Sequence, residues 1–529
     1  MTKHLLFLFI GSILLSCSPN IDSNTTLKIF KYNQANGISS LDPAFARNQA
    51  NIWATSQLFN GLVQVDNNLE IQPCIAKSWT ASEDGKTFTF TLRNDVFFQD
   101  DAQFENGKGR KVVAQDFVYS FNRIIDKKIA STGAWIFNGK VIENEPFKAI
   151  NDTTFQIELS AAFRPILGIL SMPYCFVVPK EVVDFYGKDF RAHPIGTGAF
   201  KLKVWEEGTA LVALKNENYF EKDNANNLPY LDGFKVTFIE NKKMEFLNFM
   251  KGDLDMISGI DKSFLNQIFD VKGNLTDEYK NKIELYKKPY LNTEYLGIKY
   301  AENSSPLKNK LVRQALNYSF DRDEMIQYLR KNIGYPAHAG FVPKGLASYN
   351  EEKVKGFNFD PEKAKTLLKE ANYNGEEITL HTVDTYKDIA MFISNQAKDV
   401  GLNIKVELAQ SSILREWMSQ GKTDFFRASW IADYPDAENY LSLFYSKNGA
   451  PPNYTRFSNT DFDALYEKSL VENNDSIRFR YYHKMDSIVL NEAVIVPLFY
   501  DEVIRFTQKG IENISPNAFN LLDLKMVKK

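Results

Sequence analysis

Residues 360–432 read DPEKAKTLLKEANYNGEEITLHTVDTYKDIAMFISNQAKDVGLNIKVELAQSSILREWMSQGKTDFFRASWIA, and the changing period of this stretch decides the fold class. Asp360 suits the cap of a helix whose first position is Pro361, where a missing N–H costs nothing. Ala364, Leu367, Leu368 and Ala371 form its apolar stripe. ITLHTV (378–383) then alternates as a strand. Ile389, Phe392, Ile393, Ala397 and Val400 recur at helical spacing, and Gly401 suits the stop. NIKVEL is a second strand, SSILREWMSQG a further helix and DFFRASWIA a third strand. Strands alternating with helices at this spacing predict a parallel or mixed α/β sheet, whose ligands sit beyond the C-terminal strand ends. That points to the segment after Trp430.

Upstream, the pattern is mixed α+β. LKIFKY (27–32), GKTFTFTLR (85–93) and TTFQIEL (153–159) read as strands, and 113–125 as a helix with Phe117, Phe121, Ile124 and Ile125 on one face. The chain has 529 residues, a net charge of −3 and 44% hydrophobic residues, which is ordinary globular composition. Near-neutrality argues against an electrostatic nucleic-acid binder. Aromatics reach 14%, either as a large aromatic core or as the walls of a ligand cleft.

Residues 1–17, MTKHLLFLFIGSILLSC, place Lys3 before 11 apolar-region residues, Leu5 to Leu15. A spanning helix needs roughly 20, so a signal peptide is expected over 1–16. Leu14-Leu15-Ser16-Cys17 resembles a bacterial lipobox, in which Cys17 is lipidated; ordinary cleavage nearby is the alternative. Residues 17–23 would then be a lipidated tether. Cys74 and Cys175 are expected as two buried free thiols, although export permits a disulfide.

No nucleophile elbow, phosphate-binding loop or dinucleotide fingerprint is present. His193, His338, His381 and His483 lack metal-ligand spacing. No catalytic residue, metal or cofactor is nominated, and a non-enzyme is expected.

Several segments in order resemble the oligopeptide- and dipeptide-binding family of ABC-transporter extracytoplasmic solute-binding proteins (family 5). They are SLDPAFARNQANIWATSQLFNGLVQVD (Ser40–Asp66), IQPCIAKSWTASEDGKTFTFTLRNDVFF (Ile71–Phe98), VVAQDFVYSFNRI (Val112–Ile124), HPIGTGAFKLKVW (His193–Trp205), GDLDM, VRQALNYSFDRDEMI (Val312–Ile326), DPEKAKTLLKEA and SWIADYPDAENYL (Ser429–Leu441). The resemblance implies a two-lobed periplasmic-binding-protein fold with a hinge and an extra inserted domain. Lobe I would comprise 24–58, 191–285 and 495–529, the inserted domain 59–190, and lobe II 286–494. It further implies a monomeric, membrane-anchored lipoprotein facing the periplasm. Such a receptor captures short peptides and delivers them to ABC permease subunits. An oligosaccharide, metal-chelate or haem binder, or a sensor lipoprotein on the same scaffold, remains open.

A receptor for peptides of any sequence must recognise what all peptides share, the backbone and the charged ends. In the resemblance, the strand matching Arg427, Ser429, Trp430 and Ile431 meets the ligand backbone, and Asp433 meets its α-ammonium. Arg427 stands where relatives carry a carboxylate partner. It lies six residues from Asp433, about 20 Å at roughly 3.3 Å each, room for about three or four ligand residues once the arginine folds inward. Gly37, Ile38 and Ser39 would meet ligand backbone from lobe I. The alternatives are a helix cap before Pro435 for Asp433, an ion pair for Arg427, and lobe packing for Trp430. Asp321 with Glu324 reads as a capping pair, Asp42-Pro43 as a turn, and Gly196-Thr197-Gly198 as a tight turn in which glycine relieves backbone strain. Asn317 replaces a lysine of some relatives, and the loop 100–110 is long enough to reshape a wall.

Overall fold

The computed structural model describes residues 27–301 and 304–529; the expected leader, Cys17 and the tether lie outside them. The stretch 360–432 folds as its periods dictate. Helix Pro361–Glu370 starts at Asp360, whose carboxylate accepts from the Lys363 amide at 3.0 Å. Strands Glu377–Thr382 and Asn403–Leu408 pair in parallel, and Phe425–Ile431 joins them in parallel at His381↔Phe426. Helices Lys387–Asp399 and Ser411–Gln420 supply the crossovers.

These strands form one end of an 11-stranded sheet. Next to Phe425–Ile431 lie two long antiparallel strands, Ile283–Ile298 and Ile495–Gln508. The sheet continues through Met256–Ser258, Ile29–Asn33, Gly233–Thr237, Ala210–Lys215 and Phe200–Glu206. The two long strands thus belong to both halves of the sheet. Their register breaks twice, between Pro289 and Thr293 and between Glu294 and Tyr295, opposite Phe499 and Pro497. Both breaks adjoin a proline, which has no N–H for the ladder. Such bulges bend and twist the strands that carry them.

A separate four-stranded antiparallel sheet, Ala76–Ala81, Thr87–Leu92, Thr154–Glu158 and Phe147–Asn151, packs under helix Ala114–Ile125. Phe117 and Phe121 meet Phe155, Phe137 and Phe147 there, ring centroids 5.0–5.9 Å apart within the group. Much of the aromatic content is therefore core. Cys74 and Cys175 are buried free thiols. No helix of the described residues is long and apolar enough to cross a membrane.

Several local features sharpen the sequence reading. Asp321 caps its helix by accepting from the Asp323 and Glu324 amides, but Glu324 does not return the bond. Gln396 bridges instead, donating to Glu324 and accepting from the Asp321 amide. Arg322 is buried and donates to the carbonyls of Pro497 and Asn317, so its role is internal. Gly196 and Gly198 are needed for close approach: an added Cβ would lie 2.2 Å from the Leu58 carbonyl oxygen and 2.3 Å from the Leu58 carbonyl carbon, respectively. Neither has a positive φ. The loop 100–110 holds to its own domain through Lys108–Asp100 and Arg110–Asp116.

Asp42 is more than a turn residue. Its carboxylate accepts from the Ala44 amide and forms a two-pronged ion pair with Arg123 of helix Ala114–Ile125. Both side chains are buried, at 3% and 8% exposure, so either one alone would be a stranded charge. D42A is expected to destabilise the protein by about 3–5 kcal/mol. D42A/R123M should recover part of that loss, as read from urea unfolding.

Candidate functional site

Beyond the C-terminal end of Phe425–Ile431, a cleft of about 1670 Å³ opens between segments from both halves of the sheet and the four-stranded domain. One wall is Trp430, Ile431, Ala432 and Asp433, continuing through Tyr434 and Asn439. Ala46–Gln49, Ile52 and Trp53 form another, and Thr132, Trp135, Lys140, Phe163 and Tyr174 a third. Tyr290, from the bulge of the long strand, also reaches the cleft. No histidine is among these residues. Among the described residues no cluster of three or more His, Cys, Asp or Glu side chains is arranged to hold a metal ion.

Strand Phe425–Ile431 pairs along its length with Asn292–Ile298 on one edge. On its other edge, Glu377–Thr382 meets it at one register position only, His381↔Phe426. From Arg427 to Ile431 that edge has no partner strand among the described residues, leaving backbone groups available to an added strand.

The strand ends at Ile431 and the chain bends through Asp433. Asn439 holds this bend. Its Oδ1 accepts from Trp430 Nε1 (2.9 Å) and the Asp433 amide (3.1 Å), and its Nδ2 donates to Asp433 Oδ2 (3.3 Å). The Asp433 carboxylate is reachable by water from the cleft but has protein on most sides. Desolvation pushes its pKa up to about 6, against the opposing pull of Asn439 and the Lys140 charge. It caps no helix: the following turn, Glu438–Leu441, takes its side-chain contact from Asp436 to the Glu438 amide.

The other expected site residues divide. Trp430 and Ile431 line the cleft; Arg427 and Ser429 do not. Arg427 is turned to Glu294 on the neighbouring strand, Nη2 to Oε2 at 2.5 Å, with its guanidinium 3.5 Å from the Tyr386 ring centroid. Glu294 is 2% exposed, and burial pushes its pKa up despite Arg427. Releasing Arg427 would strand that carboxylate, so the ion-pair alternative describes it and the Arg427–Asp433 span does not measure a ligand. Gly37, Ile38 and Ser39 also lie off the cleft lining. The Gly37 amide is used by the Gln34 carbonyl and the Ser39 amide by Asn51. Asn317 is buried, donating to the Arg313 and Ile495 carbonyls, and faces no ligand space.

Sequence reasoning missed Asn439, Glu438 and Lys140. Glu438 is buried, with both oxygens accepting from tyrosines, Tyr434 at 2.5 Å and Tyr466. The DYPDAENY spacing hints at Asn439 folding back on Asp433; nothing near Lys140 signals its place. Tyr434 also joins the apolar core of the four-stranded domain. There Gly168 faces it so closely that a Cβ would lie 3.3 Å from Tyr434 Cβ and 3.2 Å from Pro435 Cδ.

Infrared difference spectra should show a carboxyl band titrating near pH 6 that is absent in D433N; Asp486, also raised to about 6, would remain. In N439A the midpoint of that band should move upward, because a donor to the charged form is lost.

Residues 70–452 match the family described as bacterial extracellular solute-binding proteins, family 5 middle. The chain is 26% identical over 528 residues to the dipeptide-binding protein DppE of Bacillus subtilis (strain 168), covering 95% of this chain and 92% of that one. It is 28% identical over 526 residues to the periplasmic murein peptide-binding protein MppA of Escherichia coli (strain K12), covering 93% and 92%. Among solved structures it is similar to the ABC transporter-associated periplasmic binding protein DppA from Helicobacter pylori, in complex with peptide STSA. That match has a TM-score of 0.74 at 25% identity, covering 95% of this chain and 98% of that one. HbpA2 from Haemophilus parasuis shares the fold, with a TM-score of 0.84 at 22% identity over 94% and 99%.

Proposed function

The chain belongs to the family 5 bacterial extracellular solute-binding proteins, and from that premise we propose that it is a peptide receptor. It captures short peptides between two lobes and hands them to an ABC permease, tethered to the membrane through a lipid on Cys17. The relatives named for dipeptides and murein peptides support a peptide ligand. The observation that carries the reading is Asp433, a partly desolvated carboxylate at the mouth of an open strand edge, held by Asn439 and forming no ion pair among the described residues. A peptide fits both features: its backbone extends the sheet and its α-ammonium neutralises the acid.

The bulged long strands, Ile283–Ile298 and Ile495–Gln508, are the hinge in this reading. Gly168 against Tyr434 and Pro435 is a contact made on closure. A second copy of the charge problem follows from closure itself, since expelling water makes an unpaired Asp433 costlier still.

Replacing Asp433 by Asn should weaken peptide binding by about 2–5 kcal/mol, measured by calorimetry, and N-acetylated peptides should bind the wild type with a similar penalty. Full affinity in D433N would refute the end-charge mechanism. The pH profile has a definite sign. In the free protein Asp433 is protonated below about pH 6, while a bound ammonium favours the carboxylate. Binding below that pH must release a proton, so affinity should be full above pH 6 and fall by about tenfold per unit beneath it. It should fall again above about pH 8, where a peptide's α-amine loses its charge.

Gly168→Val tests closure without touching ligand. The added bulk should hold Tyr434 and Pro435 away, enlarging the radius of gyration with ligand present and weakening all peptides alike by about 1–3 kcal/mol. An unchanged scattering profile with unchanged affinity would remove this contact from the closing motion.

A further inference from the structure

Lys140 lines the same cleft as the Asp433 bend, beside Trp135 and Phe163. Its ammonium donates to the Trp135 carbonyl at 3.3 Å and stands 5.8 Å from the ring centroids of both Trp135 and Phe163. It joins none of the ion pairs formed among the described residues. The nearby acids are otherwise engaged: both Glu438 oxygens accept from tyrosines, and Asp433 is held by Asn439. The charges of Glu438 and Asp433 nevertheless act on Lys140, while burial disfavours its charged form. A half-buried cation on the cleft wall, influenced by two carboxylates yet paired with neither, lacks a counter-ion that a ligand could supply.

Resting on the peptide reading, we propose that Lys140 binds a ligand carboxylate, so that the cleft selects ligands carrying a carboxylate in addition to their α-ammonium. The charges then alternate across the cleft: Asp433, ligand ammonium, ligand carboxylate, Lys140. A ligand with an ammonium alone would set that charge against Lys140 with nothing between them. Arg427 cannot serve the same carboxylate without abandoning Glu294. Two sources share this chemistry, the C-terminus of a dipeptide and an acidic side chain on a peptide's first residue.

The test is calorimetry at pH 7 on wild type, K140M, K140R and D433N, with Ala-Ala, Ala-Ala-amide and Glu-Ala-amide. Wild type should bind at least one carboxylate-bearing ligand about tenfold or more tighter than Ala-Ala-amide. K140M should erase that preference by weakening the carboxylate-bearing ligand and tightening Ala-Ala-amide, whose ammonium no longer faces a like charge, and K140R should restore most of it. Preference for Ala-Ala identifies the C-terminus as the source; preference for Glu-Ala-amide identifies the side chain. A preference that survives in K140M, or no preference in wild type, overturns the assignment while Asp433-dependent binding keeps the peptide reading intact. Failure of wild type to bind any of the three and a wider peptide library overturns both.

Discussion

Two antiparallel strands, Ile283–Ile298 and Ile495–Gln508, hold the molecule together, because each hydrogen-bonds in both halves of the one large sheet. The ladder between them is broken where Pro289 and Pro497 interrupt the N–H supply. An unbroken ladder of that length would make the halves one stiff twisted plate. The breaks let the same two strands serve different neighbours, Met256–Ser258 on one side and Phe425–Ile431 on the other. They also leave Tyr290 out of register, where it reaches the cleft. Part of the cleft lining, Tyr290, is thus set by the register break beside Pro289.

Against this frame, buried charges are treated consistently. Asp42 meets Arg123, Glu294 meets Arg427, Glu438 takes two phenols and Asp486 takes the amides of Phe341 and Val342. Each arrangement answers the desolvation penalty within the protein. Asp433 and Lys140 are the cleft residues for which it is answered incompletely: one has a single amide donor at 3.3 Å, the other a carbonyl at 3.3 Å. A pair of cleft charges left without ion-pair partners is uninformative about stability. It is informative about what should enter between them.

The legible parts of the fold were local. Residues 360–432 declared helices and strands because periods of 3.6 and 2 are written into neighbouring residues. Asp360 with Pro361 set one boundary, and Gly401 and Gly421, both at positive φ, set two more. Asp433 was singled out through its resemblance to a family motif, and the structure places it on the cleft at a bend after the strand that stops at Ile431. What was hidden depended on distant partners. Arg427 looks available until Glu294, 133 residues away, is placed beside it. Lys140 reaches the cleft on a segment that leads into the separate four-stranded sheet, far in sequence from Asp433. Gly196 and Gly198 read as a strained turn, yet their reason is the backbone at Leu58 pressing from another segment. Alternation along a strand also fails past its last residue, which is why the Arg427–Asp433 spacing misled.

The size of the cleft bears on how selectivity arises. Pockets shaped to one small ligand run to about 300–1,000 Å³, whereas this one is about 1670 Å³. A short peptide cannot fill that space, so water or variable side chains must occupy the remainder, and shape alone discriminates weakly. Ring faces such as Trp430, Phe163 and Tyr174 accept many side chains at similar gain. In the proposed reading, discrimination falls to a few polar groups: the open strand edge, the Asp433 carboxylate and the Lys140 ammonium. Because Asn439 ties Trp430 to Asp433, the aromatic wall and the acid cannot shift independently. The aromatic wall and the acid thus keep one register, and in the proposed reading this lets a roomy cleft read the end of a ligand while tolerating its middle.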